Sequence, residues 1–212
     1  MIVGISRSPI ADFIIKYYNE YVGKALYPYP LFYDNKKLLL TTTKGHIYYL
    51  KELVKLKNII KVALWPDNTD LDKAARVVNI FLLENITFVV PIHSLDQLEI
   101  VDKLKEFNFR VFTGYASDKK YRNYELGDFI KAAKTKKWYL GVSTKKELRE
   151  LLMHNFDGFD ITGYLFGTHE NRKDFRVLMR NLEELLRTVS KPQGKQTTIF
   201  DFLENRAVNR GV

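Results

Sequence analysis

The chain has no cysteine in 212 residues. That excludes disulfides and every thiolate-based zinc site. Long apolar runs are missing too. A representative one, Ile59-Ile60-Lys61-Val62-Ala63-Leu64, is far shorter than the ~20 residues a membrane-spanning helix needs. No glycine-rich phosphate loop stands between a strand and a helix. The histidines His46, His93, His154 and His169 show no metal-ligand spacing. No basic-then-apolar leader stands out, because Met1-Ile2-Val3-Gly4-Ile5 reads as a first strand. Internal repeats and low-complexity tracts are lacking as well. The expectation is a cytoplasmic protein with no membrane span, no metal and no cofactor.

Apolar residues make up 46% of the chain, enough for one domain with a proper core. The formal net charge is +9, which favours anionic partners, nucleic acid first. Abundant Lys, Glu, Ile and Tyr without Cys fit a thermophile.

Residues 1–189 alternate short β-branched or aromatic runs with longer amphipathic stretches. Strands are expected at Ile2–Ile5, Leu38–Thr42, Ile59–Leu64, Ile86–Pro91, Phe109–Phe112, Trp138–Val142 and Phe159–Thr162. Helical periodicity marks Leu71–Leu83, Leu95–Phe107, Lys145–Met153 and Asn171–Val189, with Asp70, Ser94 and Ser143 or Thr144 as caps. Continuous apolar strands such as Phe88-Val89-Val90 suit a parallel sheet covered on both faces. A barrel or an open doubly wound sheet fits this order. The missing phosphate loop favours a small or incomplete (β/α) TIM-like barrel over residues 1–189, followed by a flexible C-terminal tail.

In such a barrel, chemistry sits past the C-terminal strand ends. That rim gathers Ser6 and Arg7, Thr42 and Lys44, Asp67, His93, Tyr115, Asp118, Ser143, Asp160 and Thr162. Asp67 and Asp160 are the candidate carboxylate pair for nucleophilic and acid/base work, with His93 beside them at a strand end. His46 is expected to open a helix and His154 to sit late in one.

Trp138-Tyr139-Leu140-Gly141-Val142-Ser143, a Leu-rich helix and Phe156-Asp157-Gly158-Phe159-Asp160 together resemble the late barrel of tRNA-guanine transglycosylases. The resemblance covers roughly residues 59–166. It implies that Asp160 is the nucleophile and that Leu64-Trp65-Pro66-Asp67 carries a base-recognising carboxylate. Gly163-Tyr164-Leu165 stands where the family has Pro-Thr-Arg, and the family's zinc cysteines are missing. What it implies most directly is a barrel. An enzyme acting on a base or sugar of nucleic acid is the alternative functional reading.

Basic residues concentrate in Lys119-Lys120-Tyr121-Arg122 and in Lys131, Lys134, Lys136 and Lys137, interleaved with aromatics. Lys119, Lys120, Arg122, Lys134 and Lys137 are the candidate phosphate contacts, with DNA as the expected ligand.

The tail carries the most specific signal. Residues 190–195 form a polar Pro/Gly linker, and 204–212 are polar again. Between them, Gln196, Ile199, Phe202 and Leu203 follow the spacing of a Gln, an aliphatic and two large apolar residues. One helical turn places the three apolar side chains on one face as a plug. This segment, 196–203, resembles the PIP box with which replication and repair proteins grip the sliding clamp PCNA. The resemblance implies PCNA as partner and recruitment to replication or repair sites.

Overall fold

The computed structural model describes residues 1–34, 42–67, 69–168, 170 and 173–190. The strands are β1 (Ile2–Ile5), β2 (Leu26–Pro28), β3 (Phe32–Tyr33), β4 (Val62–Leu64), β5 (Thr87–Ile92), β6 (Arg110–Ala116), β7 (Lys136–Val142) and β8 (Gly158–Ile161). All pair in parallel, in the order β2-β1-β8-β7-β6-β5-β4-β3. This is the ring order of an eight-stranded barrel with one seam left unpaired, between β2 and β3. Pairing of β1 with β8 decides for the barrel over an open doubly wound sheet.

The helices are α1 (Pro9–Tyr17), α2 (Thr43–Leu56), α3 (Leu71–Ala75), α4 (Leu98–Glu106), α5 (Leu126–Ala132), α6 (Lys145–Met153) and α7 (Phe175–Ser190). Their starts follow local hydrogen bonding. Ser8, Thr42 and Asp70 accept from backbone N–H groups three residues on. Thr144, rather than Ser143, forms a capping box with Glu147. The expected Leu71–Leu83 helix is split. α3 ends at Ala75, and Asn79 restarts a short 3-10 turn by accepting from the Phe81 N–H. β2 and β3 were not expected. The strand expected at Leu38–Thr42 falls mostly outside the described residues, and its last residue, Thr42, is the extended cap of α2.

The barrel centre is a packed plug. Register partners point to the same side of the sheet, so Gly4, Asp160, Gly158, Trp138 and Gly114 share the inner face. Phe32 stacks on Trp138 across the interior at 5.5 Å. Only glycine fits beside them. A Cβ on Gly158 would lie 2.5 Å from the Trp138 ring, and one on Gly4 2.8 Å from Phe32. Outside β6 and β7, Tyr115, Tyr139, Phe129, Phe156 and Tyr124 pack ring against ring beneath α5 and α6.

Candidate functional site at the C-terminal rim

Parallel strands bring every strand end to one mouth, and there the polar side chains pair. His93 follows β5 directly, and its backbone N–H donates to Gln97 Oε1 at 2.8 Å. Its Nδ1 lies 2.6 Å from the Tyr121 carbonyl oxygen. A carbonyl only accepts, so Nδ1 carries the hydrogen. Nε2 lies 3.2 Å from Asp67 Oδ1. In the neutral ring, Nε2 would turn a lone pair toward that carboxylate; protonation replaces repulsion by a charged hydrogen bond. The Asp67 bond therefore raises the His93 pKa above its ordinary value, against the opposing effect of burial.

Asp67 stands on a braced loop. Trp65 Nε1 donates to the Thr69 carbonyl at 2.6 Å. The buried Thr69 hydroxyl donates to the Asp67 carbonyl at 3.2 Å and lies 3.3 Å from His46 Nδ1. Beside it, past β3, the buried Asp34 accepts from Ser6 Oγ at 3.1 Å, and the Arg7 guanidinium lies over the Tyr29 ring. A protonated His93 held on both nitrogens can offer charge or a proton. It offers no free lone pair for base catalysis.

Asp160 belongs to a different structure. It is 4% exposed, on the inner face of the barrel. Trp138 Nε1 donates to its Oδ1 at 3.0 Å, and the Gly141 N–H donates to its Oδ2 at 3.1 Å. β7 is irregular between Tyr139 and Val142, and Gly141 has φ +74°, a conformation that favours glycine. The Leu-Gly-Val and Phe-Asp segments are thus joined physically: the glycine turns its N–H onto the aspartate that holds the tryptophan plug. Asp67 and Asp160 have separate partners, His93 for one and Trp138 with Gly141 for the other.

The basic candidates do not form one patch. Lys119 and Lys120 follow β6 at the C-terminal mouth, where Lys119 pairs with Glu125 at 3.5 Å. Lys134 and Lys137 flank the start of β7 at the opposite mouth. The Arg122 side chain is 5% exposed. It donates to the Ala116 carbonyl at 2.9 Å and to the Tyr124 carbonyl, and it lies against the Tyr115 and Tyr124 rings. Its place is in the packing beneath the rim.

No family model matches the chain. It is 40% identical over 201 residues to "Uncharacterized protein ORF192" of Acidianus two-tailed virus, across 94% of this chain and 98% of that protein. The chain belongs to the ORF192 family. At that identity and coverage, the two members share the barrel as a whole.

In this ORF192-family chain, the rim residues missed from sequence are Asp34, Thr69 and His46. Asp34 follows β3, a two-residue strand with no periodic signal. His46 lies in the first turn of α2, as expected, but its contact with Thr69 depends on a loop from another βα unit. Tyr115, placed on the rim from sequence, is buried on the outer side against α5. Gln196, Ile199, Phe202 and Leu203 lie outside the described residues. Lys145, heading α6, pairs with Glu184 at 2.9 Å, and Thr188 lines a cleft together with Leu148 and Leu152, so the last described helix, α7, packs alongside α6.

Proposed function

We propose that this protein binds a PCNA sliding clamp through residues 196–203 and is thereby delivered to sites of DNA replication or repair. The observation that carries the reading is the spacing Gln196, Ile199, Phe202 and Leu203, set beyond the body by a Pro/Gly linker. One further observation supports it. The similarity to the viral protein covers 94% of this chain, more than residues 1–189 alone supply, so the shared region extends into the segment beyond the body. Tethering to a clamp raises local concentration at DNA without requiring high intrinsic affinity.

The rim supports a binding or adaptor role better than base exchange. Asp160, the implied nucleophile, is buried and holds Trp138 and Gly141. Asp67 is engaged by His93.

The test is a titration of an archaeal-type PCNA with the full chain and with its Phe202→Ala, Leu203→Ala variant. Burying one large apolar side chain contributes about 1.5–3 kcal/mol, so losing both prongs is expected to weaken binding by at least ~100-fold. Equal binding by both proteins would sink the proposal.

A further inference from the structure

The two mouths of the barrel differ in charge. Asp34, Asp67, Asp70, Asp96, Asp118 and Glu125 stand at the C-terminal mouth. Cations there are partly neutralised: Lys73 pairs with Asp70 at 3.1 Å and Lys119 with Glu125 at 3.5 Å. At the N-terminal mouth, the segments entering β4, β6 and β7 carry Lys57, Lys61, Lys105, Lys134, Lys136 and Lys137. None of these six has a carboxylate within ion-pairing distance among the described residues. The carboxylates at this end include Glu20, Glu84, Glu106 and Asp157, and Asp157 accepts from the Lys137 backbone N–H at 2.8 Å.

Helix dipoles account for part of this asymmetry, since helix C-termini point to the same mouth and favour cations in their last turns. Lys105 is such a residue. Lys61, Lys134 and Lys136 are not; they lie outside any helix, exposed, on loops or the first strand position. Between them stand exposed apolar side chains, Ile59, Phe81 and Phe107, on the loops entering β4, β5 and β6. These three strands are neighbours in the sheet. The result is a set of unpaired lysines on the segments entering β4, β6 and β7, with exposed apolar side chains among them and on the intervening segment before β5.

We infer that this N-terminal mouth is a nucleic-acid-binding face, with its lysines on DNA phosphates and Phe81 and Phe107 against sugars or unstacked bases. The choice of DNA phosphates over those of an anionic lipid surface rests on the clamp reading.

The experiment uses the full chain and a fluorescent duplex with a single-stranded end, read by anisotropy across a salt series. Lys61→Gln, Lys105→Gln, Lys134→Gln is compared with Lys44→Gln, Lys119→Gln, Lys120→Gln, which removes equal charge at the other mouth. The first triple is expected to weaken binding at least about tenfold near ~50 mM salt and to lower the log–log salt slope by about 3, the second to change affinity less than about twofold. Equal losses from both triples, no loss from the first, or salt-independent binding by the wild type would overturn the inference. So would retention of anionic phosphatidylserine vesicles without DNA binding. Phe202→Ala, Leu203→Ala separates the two proposals: it is expected to abolish clamp binding while leaving clamp-free DNA affinity unchanged, and a matching loss of DNA affinity would overturn the assignment to the mouth.

Discussion

His93 is held on both ring nitrogens, by Asp67 Oδ1 at 3.2 Å and by the Tyr121 carbonyl at 2.6 Å. The contact ties together three βα units, since Asp67 follows β4, His93 follows β5 and Tyr121 follows β6. The Asn123 N–H adds a further tie by donating to the His93 carbonyl at 3.0 Å. The rim on this side is therefore a latched set of loops, and its latch titrates.

The sign of that titration follows from the raised pKa of His93. Protonated His93 is stabilised in the folded state relative to the unfolded chain, where the ordinary value is near 6.5. The contribution is fully present below that value and is lost as pH rises through the higher folded pKa. NMR titration of the His93 ring is expected to show a midpoint above 6.5 that falls on Asp67→Asn. The urea midpoint of the wild type should drop more between about pH 5.5 and pH 9 than that of Asp67→Asn. A His93 midpoint that ignores the substitution would remove the latch.

The Trp138 plug makes a second, independent prediction. Asp160→Ala leaves the indole N–H and the Gly141 N–H buried without acceptors, at about 1–3 kcal/mol each. Gly158→Ala puts a methyl 2.5 Å from the indole, beyond what a packed interior absorbs without moving the ring, and costs about 1–3 kcal/mol or more. Both variants should lower the urea midpoint and shift Trp fluorescence, while clamp binding by the folded fraction stays unchanged. Wild-type stability in Asp160→Ala would mean that the carboxylate is not what holds the plug.

Much of the barrel was legible because parallel strands covered on both faces are continuous apolar runs. β1, β5 and β7 are short, β-branched or aromatic, and bounded by cap residues. The seam was not legible. β2 is Leu-Tyr-Pro and β3 is Phe-Tyr, too short for any periodicity, and prolines at 28 and 30 read as turn signals. The break in Leu71–Leu83 was hidden for another reason: its apolar spacing suits a helix, but Val77-Val78 and Asn79 disfavour continuing one. Asp67 and His93 could be placed on one rim because strand ends share it. Their contact could not, since it depends on neighbouring register. Asp160 illustrates the converse: its sequence context points to chemistry, yet the bulge at Gly141 and the indole of Trp138 occupy both its oxygens.

Arg122 distinguishes packing from phosphate contact. Its guanidinium lies 4.9 Å from the Tyr115 ring centre and donates to the Ala116 and Tyr124 carbonyls. Lysine keeps the charge but loses the planar fork that meets two carbonyls and two rings at once. Arg122→Lys is therefore expected to destabilise the fold by about 1–3 kcal/mol, from carbonyls left without donors and lost ring contact. Chemical denaturation measures the first effect, and DNA titration well below the melting temperature measures the second, which should be within twofold of wild type. A variant as stable as wild type but weakened on DNA would return Arg122 to the phosphates, and with it the C-terminal mouth to the DNA-binding surface.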